Sequence, residues 1–348
     1  MGLMQGGKLI EILHPDQHYR TVFNQQTGFF VRKEENGWPE PAWAVNGPEL
    51  IDLSITSYCH KGCSFCYRRA NDEVFHHLSL EEVKRVVDQA AECGTLQMAL
   101  GGGNPNQHPD FIPILRLIRD NGIVPSYTTN GDGITDEILK ATADYCGAMA
   151  VSVYAPFNEN YYGQLLAEIK RYGIKLNLHA IIRNDYLDMW TRLLSEPPSF
   201  LKNVNAIIFL NYKPLGRDGS TLLPKDIEKT ERFFKAANDS KKVKVGFDSC
   251  SISGIAKWMD VPKFLIESCE AARFSAFISE DMKMYPCSFM VDKGYCGDLR
   301  KESLLDIWQK NVYFLRFREN TQPVRCEACK YSDVCKGGCK MFDEINFC

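Results

Sequence analysis

Cys59, Cys63 and Cys66 stand within eight residues of the stretch SYCHKGCSFCYRR (57–69). Three thiolates that close hold a soft metal centre, since sulfur is a preferred donor to zinc and to iron–sulfur clusters. A closed tetrahedral zinc site takes four ligands, and this loop offers three cysteines. On an iron–sulfur cube, three thiolates leave one iron without a protein ligand, open to a substrate or cofactor. Cysteines return in RCEACKYSDVCKGGCKMFDEINFC (325–348), spaced Cys326-x2-Cys329-x5-Cys335-x3-Cys339-x8-Cys348. Upstream, Cys269 and Cys287 are separated by seventeen intervening residues. Four of these cysteines alone would also allow a zinc ribbon.

The chain has 348 residues, 14 of them cysteine, and its N-terminal MGLMQGGKLIEILHPDQ lacks the apolar core of a secretory signal. Reduced thiols at metal spacing therefore fit better than a disulfide framework. With a net charge of −3 there is no electrostatic footprint for nucleic acid. The longest apolar run, around Ala206–Leu210, is about seven residues, far short of a bilayer span. A soluble, cytoplasmic protein with no nucleic-acid or membrane partner is expected.

The surrounding elements must position these cysteines. Residues 8–32 alternate apolar and polar around turn residues, which predicts a β-ribbon. From residue 51, LIDLSI is a strand that ends at the cysteine loop. SLEEVKRVVDQAAECG follows as a helix, with Ser79 and Glu82 forming a capping box and Gly94 as the stop. The strands TLQMAL, IVPSYTT, AMAVSVY, IKLNLHAII, NAIIFLNY and KVKVGFD then alternate with helices. This rhythm, about 25–30 residues per unit, argues for a parallel sheet with right-handed crossovers. The expected fold is α/β: a partial (β/α)6 TIM-like barrel with an N-terminal β-ribbon and a small cysteine-rich C-terminal cluster-binding domain. The expected boundaries are 1–50, 51–266 and 267–348. The cysteine loop falls at the carboxyl edge of the sheet, where α/β active sites assemble. Past residue 266 one short amphipathic helix, GDLRKESLLDIWQK, is visible. So little apolar core predicts a segment stapled by metal.

Residues 51 to about 215 resemble the radical SAM superfamily, whose signature is this cysteine spacing with an aromatic, here Phe65, before the last cysteine. The resemblance implies that the open iron binds the amino and carboxylate groups of S-adenosylmethionine. One electron then cleaves the sulfonium to a 5′-deoxyadenosyl radical, which abstracts hydrogen from the substrate. LGGGNPNQHPDF stands where the family has Gly-Gly-Glu-Pro, so Gly102, Gly103 and Pro105 match while Asn104 replaces the glutamate. The family role of this turn is to let backbone carbonyls approach the methionyl ammonium, a closeness that glycine permits. Asn104 keeps a carbonyl acceptor without the charge. TTNG (Thr128–Gly131), with Thr129 and Asn130, looks like the family's post-strand Ser/Thr-x-Asn-Gly. Ser152 stands where a carboxylate-binding serine is usual. Asn177 and His179 lie on one strand, pointing the same way, as candidates for ribose contacts; His179 alone also fits a satisfied core histidine. His76 and His77 are expected to be loop residues.

The C-terminal cysteines resemble the SPASM extension, which carries two auxiliary clusters on seven cysteines. Every cysteine and gap matches; the one departure is Met282 where the pattern has glycine. By analogy Cys326, Cys329, Cys335 and Cys348 hold the second auxiliary cluster, and Cys269, Cys287 and Cys339 the first. Many relatives have a further cysteine where this chain has Ser275. The first auxiliary cluster therefore has an open iron or recruits Cys296 or Cys250. Three [4Fe-4S] clusters and S-adenosylmethionine are the implied cofactors. Cys93 and Cys146 end helices and belong to core packing.

SPASM enzymes mostly modify peptides, so the leading expectation is a maturase that installs a crosslink, epimerised residue or oxidised side chain in a short precursor peptide. Its electrons would come from a reductant such as ferredoxin or flavodoxin. The fifty-eight residues before Cys59 do not suggest a leader-binding winged helix. The substrate would dock on the barrel and SPASM surfaces, or need a separate adaptor. Alternatives are an anaerobic sulfatase maturase, a small-molecule radical dehydrogenase and a non-catalytic electron carrier. The first places an aspartate after the second SPASM cysteine, where this chain has Ser288. Finally, VGFDSCSISG (245–254) offers Asp248 as a base and Cys250 as a hydrogen-atom donor or cluster ligand. The plain alternative makes Asp248 a helix cap and Cys250 a small buried hydrophobe.

Overall fold

The computed structural model of the chain describes residues 9–39, 41–154, 156–319 and 322–348. Three antiparallel strands come first: β1 (Leu9–His14), β2 (Tyr19–Asn24) and β3 (Phe30–Glu34). Strand–helix alternation begins with β4 (Leu50–Thr56) and α1 (Leu80–Glu92), then β5 (Gln97–Gly102), α2 (Phe111–Asp120), β6 (Val124–Thr129) and α3 (Asp136–Tyr145). It continues through β7 (Ala148–Val153), α4 (Glu159–Arg171), β8 (Leu176–Ile182), α5 (Leu187–Ser195), β9 (Ala206–Asn211), α6 (Ile227–Asp239), β10 (Val245–Phe247) and α7 (Ile252–Trp258). The cysteine-rich region adds β11 (Ser275–Ile278), β12 (Lys283–Tyr285), β13 (Gly297–Asp298), α8 (Leu304–Lys310), α9 (Val312–Glu319) and α10 (Ser332–Cys335). Six strand–helix units followed by β10 bear out the α/β rhythm of the sequence. Among the described residues no helix is long and apolar enough to cross a membrane.

Packing forms two compact units, and neither is a single run of sequence. The first comprises the chain up to His60, Asn71–Met149 and Ala271–Glu319; the second comprises Lys61–Ala70, Ala150–Glu270 and the segment ending at Cys348. In the first unit the strand order is β6-β5-β4-β11-β12-β13. β4 is parallel to both β5 and β11, with Leu50 opposite Gln97 on one side and Ser275 on the other. Flanked on both edges, β4 buries Ile51, Leu53 and Ile55 completely, the residues of one face of the strand. The capping box of α1 forms as predicted: Ser79 Oγ accepts from Glu82 N while the Glu82 carboxylate accepts from Ser79 N. This turns Val83, Val86, Val87 and Ala90 inward. The N-terminal sheet packs Phe23 against Leu96 and Val124. Its polar anchor is buried Glu49, whose carboxylate accepts from Arg32 (2.7 Å), Tyr19 Oη and Thr21 Oγ1. In the second unit β8, β9 and β10 run parallel, and Phe209, Phe233, Phe234 and Phe247 pack ring against ring around them.

The expectation that the chain past residue 266 has little apolar core is corrected. Phe274, Phe277, Ile278, Met282, Met284, Leu304, Ile307, Trp308 and Phe314 are all buried. The strands there are two to four residues long, too short to show a periodicity in sequence. Trp308 Nε1 donates to Ala44 O at 2.6 Å, satisfying the one polar atom of a fully buried indole.

Met282 sits between β11 and β12 at φ +62°, the left-handed region that glycine occupies without cost. Its side chain is fully buried. Left-handed backbone costs a residue with a Cβ about 1–2 kcal/mol, whereas removing a buried methionine side chain costs about 2–5 kcal/mol. Burial is the larger effect, so Met282→Gly is expected to lower the urea unfolding midpoint. A raised midpoint would mean that backbone strain governs this turn.

Candidate active site

Cys59 leaves the end of β4 with its N–H donating to Asn71 O (3.0 Å), and its Sγ accepts from Asn130 Nδ2 at 3.6 Å. The glycine turn after β5 lies directly against this stem. Gly102 has φ +109°, and a Cβ there would overlap Thr56 O and Ser54 Oγ; one on Gly103 would overlap Tyr58 O. The two strand exits are joined by Gly103 N donating to Thr56 O (2.6 Å) and Asn104 N to Tyr58 O (2.8 Å). The space these glycines leave is thus filled by the backbone leading into the cysteine loop. Asn104 is buried and its side chain is committed: Oδ1 accepts from Thr129 Oγ1 (3.0 Å) and Asn130 N (3.1 Å), and Nδ2 donates to Asp132 O (3.0 Å). The acceptor expected to face a ligand instead locks the TTNG turn onto the glycine turn. Pro105, also buried, opens a short 3-10 turn that ends at Gln107.

Cys63, Phe65 and Cys66 belong to the second unit, where Cys66 N donates to Cys63 O (3.1 Å). The segment after β9 clamps this turn. Arg217 N donates to Ser64 O (2.7 Å), Ser64 Oγ to Asp218 Oδ2 (2.5 Å), and a Cβ on Gly216 would come within 2.6–2.7 Å of Phe65 C and Ser64 O. The Phe65 ring lies 5.5 Å from that of Tyr154, and buried Arg183 places its guanidinium 4.8 Å from the Phe65 centroid. Gly216, Asp218 and Arg183 are not singled out by the sequence; for the first two the signal is the PLGRDG turn that follows a strand.

Ser152 lies on β7, and its carbonyl accepts from Tyr162 Oη at 3.4 Å. Asn177 and His179 share a face of β8 as expected, but Asn177 stands at the strand's N-terminal end, where its Oδ1 accepts from Asn205 Nδ2 at 2.9 Å. His179 is deeper in the strand, and burial pulls its pKa down to about 4, with Asp248 opposing. The Asp248 carboxylate is engaged on both oxygens: Oδ2 pairs with buried Lys213 (2.6 Å), while Oδ1 accepts from Asn211 N (3.0 Å) and Ser251 Oγ (2.8 Å). It does not cap the helix through a backbone N–H. Its geometry is that of an anchor.

None of the fourteen cysteines is in a disulfide. Within the second unit, Cys335 feels the charge of Cys348, Cys326 and Cys329, and burial with these neighbours pushes it up to about 11. Cys326 is raised first by burial, with Cys348 and Cys329 contributing. The four cysteines assigned together by analogy are therefore electrostatic neighbours in the fold. Cys339 shares a hydrogen bond with Cys250, which raises Cys250 and lowers Cys339. In the first unit Cys296 bonds the Tyr285 hydroxyl, and Cys287 precedes the 3-10 turn Ser288–Lys293. Cys93 and Cys146 end α1 and α3, both raised by burial, as their expected packing role requires. Among the described residues no group of three or more His, Cys, Asp or Glu side chains closes around a single metal ion. A donor set of thiols alone, with Asn130 donating to Cys59, fits an iron–sulfur cluster, in which each thiolate binds its own iron.

Orphaning a buried hydrogen-bonding group costs about 1–3 kcal/mol. Asn104→Ala, which strips partners from Thr129, Asn130 and Asp132, should therefore lower stability by about 2–5 kcal/mol, read as a drop in urea midpoint. For His179 the unfolded chain protonates near 6.5 and the folded chain near 4. Its share of stability is complete above pH 6.5 and falls by roughly 3 kcal/mol as the pH drops toward 4. His179→Leu should flatten the urea midpoint between pH 7 and 5; an equally steep profile in that variant would remove His179 as the cause.

Residues 53–194 match the radical SAM superfamily and residues 269–331 the SPASM iron–sulfur cluster-binding domain, together more than half of the chain. The chain is 22% identical to the AdoMet-dependent heme synthase of Methanosarcina barkeri, over 84% of this chain and 91% of that protein. It is 24% identical to the PqqA peptide cyclase of Ruegeria pomeroyi, over 88% and 86% of the two chains. In three dimensions it resembles Streptococcus suis SuiB bound to its precursor peptide SuiA, with a TM-score of 0.69, 17% identity, and 84% and 72% of the two chains covered. With its cysteine loop, its glycine turn and its gathered C-terminal thiols, the chain is a radical SAM enzyme with a SPASM domain.

Proposed function

We propose that this enzyme installs a modification in a short ribosomal precursor peptide. Cys59, Cys63 and Cys66 would hold the cluster that binds S-adenosylmethionine. The auxiliary clusters would be held by the C-terminal cysteines. The observation that carries this reading is the conjunction of the Cys59-x3-Cys63-x2-Cys66 loop with four neighbouring thiols at SPASM spacing. Likeness to a peptide cyclase and to a protein crystallised with its precursor peptide supports the substrate class. When bound, the cluster and S-adenosylmethionine supply one-electron cleavage and hydrogen abstraction.

The chain's own residues do the positioning. The glycine turn and Asn104 hold the stem before Cys59, and Asn130 directs an N–H at its sulfur; such hydrogen bonds help to set a cluster's potential. The Gly216–Asp218 segment fixes the backbone of Ser64 and Phe65 between Cys63 and Cys66. Ser152 and His179 are proposed to face S-adenosylmethionine. We also place the enzyme in the cytoplasm, where fourteen thiols stay reduced, with a ferredoxin- or flavodoxin-type reductant. The precursor peptide would dock on the enzyme's own surfaces or be presented by a separate adaptor. A second reading, a small-molecule substrate, draws on the likeness to a heme synthase.

The test is anaerobic incubation of the reconstituted enzyme with dithionite, S-adenosylmethionine and the short peptide encoded beside its gene. Formation of 5′-deoxyadenosine together with an altered peptide, by mass or by stereochemistry, is expected; cleavage with an unaltered peptide favours the small-molecule reading. Reconstituted protein should carry about twelve irons, at four per cluster. Changing Cys59, Cys63 and Cys66 together to Ala should remove about a third of that iron and all S-adenosylmethionine cleavage. Retained cleavage would sink the assignment of this cluster.

A further inference from the structure

The cluster expected from Cys269, Cys287 and Cys339 is one thiolate short, because Ser275 occupies the position of the usual fourth cysteine. Ser275 is built into β11 opposite Leu50, and its carbonyl accepts from Ala272 N at 2.9 Å. The second unit brings another thiol into place. The Sγ atoms of Cys250 and Cys339 are hydrogen-bonded although the two residues are far apart in sequence. Their backbones are joined independently of the thiols. Asn211 Nδ2 donates to Cys250 O (2.9 Å) and also to Ile345 O (3.1 Å), bridging the loop after β10 to the C-terminal segment. Phe347 N donates to Ser253 Oγ (3.0 Å), and Lys257 Nζ donates to Phe347 O (3.1 Å). On the other side, Asn346 brackets Cys339, its Oδ1 accepting from Cys339 N (2.9 Å) and its Nδ2 donating to Cys339 O (3.2 Å). Buried Lys213, paired with Asp248, acts electrostatically on both sulfurs.

We infer that Cys250 is the fourth thiolate ligand of the auxiliary cluster that Cys339 holds. The inference rests on the proposed function, which gives this region its auxiliary clusters, and goes beyond it by choosing among the open iron, Cys296 and Cys250. The Cys296 thiol is engaged with the Tyr285 hydroxyl, whereas that of Cys250 meets Cys339 itself. Ligation also excludes Cys250 as a hydrogen-atom donor, since a cluster-bound thiolate carries no S–H.

The test uses the full chain carrying Cys59→Ala, Cys63→Ala and Cys66→Ala, reconstituted anaerobically, so that the auxiliary clusters contribute the only iron, about eight atoms. Adding Cys250→Ala should give one iron in about eight a distinct Mössbauer signature. Mild oxidation should then release that iron and leave a three-iron electron-paramagnetic signal. Cys250→Ser, which keeps an oxygen donor and nearly the same volume, should show a distinct iron site that resists this loss; it also serves if the alanine variant does not fold. Cys296→Ala should match its parent. Unchanged spectra and iron content in both Cys250 variants would overturn the assignment, as would a distinct iron appearing in Cys296→Ala alone. An iron-free parent would instead overturn the auxiliary-cluster reading itself, and this assignment with it.

Discussion

The first unit depends on the contact of two missing side chains with a backbone. Gly102 and Gly103 let the exit of β5 lie against the exit of β4 so closely that any Cβ would collide with carbonyl oxygens of Thr56 and Tyr58. The close approach allows two backbone hydrogen bonds between the exits. It also seats Asn104 where it can reach the exit of β6, and from there Asn130 reaches the sulfur of Cys59. Three strand ends and Cys59 are thus held in a chain of polar contacts.

Buried charge performs a comparable task elsewhere. Removing an ion from water is expensive unless every lone pair and proton finds a partner. Glu49 meets that condition with Arg32, Tyr19 and Thr21, so the N-terminal sheet has one register in which its carboxylate is satisfied. In the second unit Asp248 meets it with Lys213, Asn211 and Ser251. Such groups add modest net stability.

The cysteines carry the opposite bias. Burial keeps Cys335 and Cys326 protonated, and their mutual proximity makes a second thiolate costlier than the first. Cluster binding as proposed would relieve both effects, replacing protons and neutralising neighbouring charge. Yet the C-terminal region does not rest on metal alone, because Phe274, Trp308 and Phe314 give the part within the first unit an apolar core.

The spacing of Cys59, Cys63 and Cys66, the seven later cysteines and the strand–helix rhythm were legible in the sequence, because ligand spacing and side-chain periodicity are local properties. The capping box at Ser79 was legible for the same reason, as was the oddity of Met282, which the fold resolves as a buried side chain at positive φ. Legibility ended where partners are distant in the chain. Nothing near Asn104 announces that its amide is spent on Thr129, Asn130 and Asp132, and nothing near Asp248 announces Lys213. The two- to four-residue strands beside β4 carry no period to read. The residue types of this protein's chemistry were determined by sequence alone. Which thiol meets which, above all Cys250 with Cys339, was decided by tertiary structure, since only packing brings together groups that far apart along the chain.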